Sequence, residues 1–232
     1  MVTKNYTMKR IILTSSIFFF ASLSLLHSQT FKFDKSKLEA VNVSMSIEKL
    51  MGREVVKVTQ DPTVTQANAP TFAKLKDVAF KNGTIEVKVL SRLLPNAAES
   101  ARGFIGIAFR INDSSSKFES IYIRPTNGRA NDQVRRNHSI QYFSFPDYPF
   151  SRLRKEAPEK YESYADMGLN EWITLKIVVL DSSAMLFIND SKQPSLIVND
   201  LKLGPNVTGG IGLWVDLGTE GYFSDVKISG AK

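Results

Sequence analysis

Short apolar runs that alternate with polar residues recur from residue 31 to the end of this 232-residue chain, and turn residues separate them. Successive side chains of a strand point to opposite faces, so a period of two marks a strand with one wet and one buried face. Val41, Val43, Met45 and Ile47 alternate in this way, and residues 54–59 are a Val-rich run closed by Asp61-Pro62. Asn82-Gly83 is a turn signal that opens residues 85–89, a strand with one wet face. Residues 103–111 are nearly all apolar, which predicts burial on both faces. Ile121 and Ile123 alternate with Tyr122 and Arg124. Residues 173–180 and 185–188 flank Asp181-Ser182-Ser183, a predicted hairpin. Gly209-Gly210 starts the run 211–215, and a last strand passes through Tyr222, Phe223, Val226 and Ile228. Roughly a dozen short strands at regular spacing predict an all-β fold, a two-sheet antiparallel sandwich.

Composition narrows the chemistry. The chain has no Cys, which excludes a disulfide scaffold, a cysteine nucleophile, a thiolate metal site and a Cys-linked lipid anchor. Two His residues, His27 and His138, are too few for a multi-histidine metal centre. Residues 1–28 read as a secretory signal peptide. Lys4, Lys9 and Arg10 form a basic front, residues 11–26 an uncharged apolar run, and Ser28 a small residue for the peptidase. The apolar run falls short of the roughly 20 residues a spanning helix needs. An uncleaved anchor is the second reading, and no other apolar stretch is long enough to cross a membrane. The expected mature protein, residues 29–232, is one domain working in a periplasm or outside the cell, with no stable membrane insertion. The full chain carries a formal charge of +7, but the leader holds three of the basic groups and no acidic one. What remains is 27 basic against 23 acidic residues, a net of +4, which removes most of the argument for a nucleic-acid partner.

One segment breaks the pattern. Between Pro125 and Gly168 the alternation weakens, and this reads as a long irregular insertion. Residues 151–166 have the Glu/Lys content of a short helix or ordered loop interrupted at Pro158. A connection this long inside a β domain is functional or disordered as a rule, and its aromatic content argues against disorder. The stretch 122–164 carries Arg124, Arg129, Arg135, Arg136, Arg152, Arg154 and Lys155 among Tyr142, Phe143, Phe145, Tyr148, Phe150, Tyr161 and Tyr164. Flat rings offer an apolar plate and guanidinium forks offer directed donors. Sugars use both, through their C–H faces and hydroxyl rims. Asn131, Asp132, Gln133, Asn137 and Gln141 add short polar partners. The same groups suit an anionic glycan or a nucleic-acid strand. The plainer alternative is that the rings fasten a long loop to the sandwich while the arginines pair with Asp147, Glu156 and Glu159. Residue by residue that alternative is the stronger; for the cluster as a whole a binding site is favoured.

Trp214 alternates with Leu213 and Val215, so it faces away from them, where it is either a sugar platform or covered by a further layer. The candidate ligand-binding residues are therefore Arg124, Arg129, Gln133, Arg135, Arg136, Gln141, Tyr142, Tyr148, Arg152 and Trp214. His138 is the sole imidazole after the leader and the sole side chain there whose unperturbed pKa lies near neutrality. It is the candidate catalytic residue, with Asp132 beside it, although a lone His more often has a structural role. Paired carboxylates would mark glycoside hydrolysis. Glu162 and Asp166 are four apart but read as a solvated face. Asp216 and Glu220 straddle Gly218 and read as a turn, a calcium site or a catalytic pair, in that order. No G-x-S-x-G elbow, phosphate-cradling loop or dinucleotide fingerprint is present.

Several runs carry a resemblance that spans most of residues 40–230. They are Asn82-Gly83-Thr84-Ile85-Glu86-Val87, Asn170-Glu171-Trp172-Ile173-Thr174-Leu175-Lys176-Ile177, Met185-Leu186-Phe187-Ile188-Asn189, Gly209-Gly210-Ile211-Gly212-Leu213-Trp214 and the stretch from Gly221 to Ile228. In these the chain resembles the concanavalin A-like lectin/glucanase superfamily, nearest to the bacterial secreted group of the 3-keto-disaccharide hydrolase domain (DUF1080) and to laminin-G-like modules. The resemblance implies a jelly roll of two curved antiparallel sheets with ligands on the concave face or at its rim. By the same analogy alone it implies a structural calcium. The Glu-x-Asp-x-x-Glu strand of laminarinase-type glucanases is absent. The expected function is an exported carbohydrate-recognition domain using residues 124–164 as one wall of its site. The alternatives are a glycoside-active enzyme on disaccharides or their keto forms, and a non-catalytic adhesion or scaffold domain.

Overall fold

The computed structural model describes residues 28–230, so the expected leader lies outside the described residues except for Ser28. In chain order the strands are β1 (Ser28–Thr30), β2 (Leu38–Val41), β3 (Val43–Leu50), β4 (Arg53–Gln60), β5 (Phe72–Phe80), β6 (Gly83–Leu93), β7 (Ile105–Ile111), β8 (Phe118–Ile123), β9 (Ile140–Phe145), β10 (Glu162–Ser163), β11 (Ile173–Leu180), β12 (Ser183–Ile188), β13 (Leu196–Val198), β14 (Gly209–Val215) and β15 (Thr219–Ser229). Helices α1 (Pro125–Gly128) and α2 (Gln133–Asn137) separate β8 from β9, and α3 (Phe150–Glu156) separates β9 from β10. The first sheet has the order β13-β12-β11-β6-β15-β4-β3, with β1 also paired to β15; the second has the order β10-β9-β8-β7-β14-β5-β2. The result is an all-β, two-sheet antiparallel jelly-roll sandwich.

Local chemistry explains the turns between sheets and strands. Asn42 adopts the left-handed region at φ 52, which Asn tolerates better than most residues. There the chain leaves β2 in the second sheet and enters β3 in the first. Leu180 pairs with Ser183, so Asp181-Ser182 is a two-residue hairpin loop, with Asp181 at φ 50 as such loops require. β11 is buried at Ile173, Leu175, Ile177 and Val179 and wetter at the residues between, as its alternation demands.

The two faces of the second sheet have different fates. Ile105, Ile107, Leu213 and Val215 face the first sheet: a methyl group added at Gly221 of β15 would collide with Val215 and come close to Ile105. The opposite face carries Phe72, Phe118, Tyr122, Phe143 and Trp214, and these rings are buried too. Gly106 and Gly212 make this possible, because a Cβ at either would strike Tyr122 or Phe72. Their cover comes from residues 61–71, whose Ala69 carbonyl accepts from the Trp214 indole N–H at 2.9 Å, and from Phe145, stacked on Phe118 with centroids 5.3 Å apart.

Residues 125–168, expected as an irregular insertion, contribute a full strand to this sheet. β9 pairs with β8 over six residues from Ile140 to Phe145, and β10 closes the edge. Because β9 is buried on both faces, its period of two is erased, and Gln141 and Ser144 mimic loop polarity. The helix of the 151–166 stretch is α3, which starts at Phe150 and stops at Glu156, before Pro158.

Candidate functional site

Several chain segments meet at one end of the sandwich, where β8 and β14 finish and β7 begins. They enclose a cavity of about 390 Å³. Phe104 leads into β7, Tyr122 and Arg124 come from the end of β8, and Asp216 and Leu217 follow β14. Arg135 lies on α2, His138 caps its C-terminus, and Phe150 and Arg154 stand one helical turn apart on α3. Arg102 and Ser100 come from the loop after β6.

The floor is aromatic. Tyr122 lies 6.1 Å from Phe104 and 4.9 Å from the buried Trp214, centroid to centroid. Arg124 is held among these rings, 5.0 Å over Tyr122, 5.5 Å over Phe150 and 6.0 Å over Phe104. It donates to the Tyr122 hydroxyl at 2.6 Å, the His138 carbonyl at 3.0 Å and Gln141 Oε1 at 3.3 Å. Behind it Glu162, with its side chain 3% exposed, receives Arg124 at 3.4 Å and Arg154 Nε at 3.0 Å. This overturns the solvated role expected for Glu162; its sequence neighbour Asp166 is the exposed one, paired with Arg129 at 2.7 Å. His138 Nδ1 sits 3.0 Å from Glu162 but out of line for a hydrogen bond. Burial holds the His138 pKa below its ordinary value, and Arg154 and Arg124 add to this against the pull of Glu162, so the ring is neutral at pH 7.

Asp216 is 4% exposed and accepts backbone N–H groups from Asn68 at 3.0 Å and Leu217 at 2.9 Å. Burial nevertheless pushes its pKa up to about 6. A raised carboxyl pKa means stability that is intact below the unfolded value near 3.8 and is lost as pH rises through about 6. The loss amounts to about 3 kcal/mol above that range. Asp216→Asn cannot ionise, so the stability of the native protein relative to this variant should fall by about 2–3 kcal/mol between pH 4 and pH 7. Urea unfolding of both at the two pH values measures it, and a pH-independent difference contradicts it. Asp216 and Glu220 do not form a pair: Thr219 N–H donates to the Asp216 carbonyl in a turn, while Glu220 binds Lys57 and Tyr222 on the outer face of the first sheet. Among the described residues no group of three His, Asp or Glu side chains is arranged to hold a metal ion.

Of the residues singled out in the sequence, Arg124, Arg135 and His138 line the cavity. Gln141 and Trp214 lie buried beside it, Gln141 donating to the Tyr142 and Tyr161 carbonyls. Tyr142 points into the core, where its hydroxyl donates to buried Glu119 and accepts from Lys202 N–H. Arg129 is an exposed clamp on Asp166 and Glu171. Gln133 donates to Asn137 on the outside of α2, and Arg136 donates to the Tyr164 hydroxyl at 2.7 Å. Arg152 pairs with Glu156 and covers Tyr148 at 4.4 Å. Asp132 is the N-cap of α2, accepting from Arg135 N–H at 3.0 Å. Arg102 and Phe104 escaped the sequence reading because they lie outside the 122–164 cluster; the Arg-Gly-Phe run heading a buried strand was the available signal.

The fold defines a class, the two-sheet jelly-roll sandwiches. Among solved structures the chain is similar to the carbohydrate-binding module CBM66 from Bacillus subtilis, at 12% identity and a TM-score of 0.52, covering 83% of this chain and 96% of that one. It is also similar to a candidate glycosyl hydrolase from Parabacteroides distasonis, at 12% identity and a TM-score of 0.50, covering 86% and 90%. No family model matches the chain, and no curated protein does.

Proposed function

We propose that the chain is an exported carbohydrate-recognition domain, residues 29–232 acting as one unit, and that the cavity at the end of β8 and β14 receives a saccharide. One observation carries this reading: half-buried aromatic rings and guanidinium forks from separate segments converge on a single open cavity. Phe104 and Phe150 offer plates for sugar C–H faces, and Arg102 and Arg135 offer directed donors for hydroxyl oxygens. The volume lies in the range of small-ligand sites. The rings along the middle of the same sheet face are covered, so the ligand meets the end of the sandwich and does not lie along it. By this reading the chain is kin to the 3-keto-disaccharide hydrolase domain and laminin-G-like modules, and its likeness in fold to a carbohydrate-binding module from B. subtilis supports a saccharide ligand. The test is affinity electrophoresis of the protein through gels containing soluble polysaccharides. At least one should retard the native protein, and Phe104→Ala/Phe150→Ala should migrate freely in it. Retardation by none, or equal retardation of the variant, removes the proposal.

A second reading has an observation of its own. Asp216, whose carboxyl pKa is pushed up to about 6, and His138, whose imidazole pKa is lowered, line the same cavity, two titratable groups of the kind that glycosidic chemistry uses. Release of monosaccharide from disaccharides or their 3-keto forms would support it, and full activity in His138→Ala would remove that residue from it.

A further inference from the structure

We infer that the saccharide carries an anionic group, a carboxylate or a sulfate ester, held at the cavity between Arg102 and Arg135. The inference rests on the saccharide reading and deepens it. It starts from how the arginines of this region are paired. Arg124 and Arg154 share Glu162, Arg129 takes Asp166 and Glu171, and Arg152 takes Glu156. Arg136 has the Tyr164 hydroxyl and stands outside the cavity, whereas Arg102 and Arg135 line it. Among the described residues neither has a carboxylate within 4.0 Å. Arg102 donates only to the backbone carbonyls of Glu99 and Ala101, and Arg135 reaches no further than Asn127 Oδ1 at 3.5 Å.

These two guanidinium groups line the same cavity and repel one another. The Arg102 pKa is lowered, by burial first and then by the charge of Arg135, with Arg124 adding to it against Glu99. Asp216 does not pair with them: its oxygens are engaged by the Asn68 and Leu217 N–H groups, and among the described residues it has no ion pair with either guanidinium. A cavity with four guanidiniums and two carboxylates, Glu162 shared by Arg124 and Arg154 and Asp216 turned to backbone N–H groups, is short of negative charge. A hydroxyl oxygen would accept from Arg102 or Arg135 without answering that deficit. A carboxylate or sulfate would accept from both forks and answer it, with charge-assisted hydrogen bonds about twice as strong as neutral ones.

Matched ligand pairs test the inference by calorimetry on the full chain. Galacturonan oligomers are compared with their methyl esters, and sulfated galactan oligomers with desulfated ones. A neutral glucan series and a short single-stranded DNA complete the set. The charged member of one pair should bind about 10- to 100-fold more tightly than its neutral partner. Which pair shows the gap identifies the anion. Arg102→Ala/Arg135→Ala should abolish the gap, and Arg102→Lys/Arg135→Lys should keep part of it, which separates charge from any folding defect. Equal binding of charged and neutral partners, or binding to the neutral glucans alone, overturns the anionic inference and leaves the saccharide reading standing. Binding of DNA with no saccharide bound, or of no probe at all, overturns both.

Discussion

Replacing Arg110 with alanine is expected to lower the unfolding free energy by about 3–5 kcal/mol. Arg110 is fully buried although it carries a charge. The reason is a bulge where β7 pairs with β14: the register slips between Gly210 and Ile211, and Arg110 takes φ 54. A bulge re-aims a side chain, and here it sends the guanidinium into the end of the sandwich. There it donates to the Lys81 carbonyl at 3.0 Å and 3.1 Å, to Gly204 at 2.8 Å, to Asp181 at 2.6 Å and to Asn82 Oδ1 at 3.3 Å. One side chain thus ties the β5–β6 turn, the β11–β12 hairpin and the loop before β14. Alanine takes the shared donor from the Lys81, Gly204 and Asp181 carbonyls and empties a fully buried volume, and each acceptor that water does not reach costs about 1–3 kcal/mol. Lysine, a point charge with three donors and no planar fork, should recover only part of the loss. Urea unfolding measures both, and a loss under about 1 kcal/mol for the alanine variant contradicts this account.

The second large effect is expected at Arg124. Its side chain is 6% exposed, and Arg124→Ala should cost about 3–5 kcal/mol, because Glu162, the Tyr122 hydroxyl and Gln141 Oε1 all lose a buried partner. A second signature separates this role from simple packing. Arg124 is one of the charges that hold the His138 pKa down, so its removal should raise that pKa. Ring-proton NMR titration of His138 in the native protein and the variant reads the shift directly. Saccharide retention should fall in the same variant. An unmoved His138 titration would show that Arg124 does not govern the electrostatics of the cavity.

How far the sequence foretold this molecule depended on which faces were wet. β6, β11 and β12 announced themselves by alternation, since each has one face in the core and one in water. β9 did not, because a second layer covers its outer face. β5 was equally silent: Phe72, Ala73 and Leu75 are buried around Lys74, and Asp77 at φ 60 breaks the rhythm further on. Trp214 was placed on the correct side of its strand, but whether anything covered it depended on residues 61–71, about 145 positions away. The candidate site was legible as a composition and not as a constellation. The arginines of the 122–164 stretch look alike in sequence, yet Arg129 is satisfied by carboxylates 37 and 42 residues away while among the described residues Arg135 has none. Arg102 and Phe104 enter from the connection between β6 and β7. Pairing across the fold, which no local pattern encodes, decides which guanidinium is left for a ligand.

Hydrogen–deuterium exchange of the full chain, with and without whichever saccharide retards it, tests the central claim most directly. Bound saccharide should slow exchange in residues 100–104, 122–127, 133–138, 150–154 and 216–217, the segments that build the cavity. Slowed exchange confined to another surface, such as the outer face of the first sheet around Trp172 and Tyr222, would contradict the account.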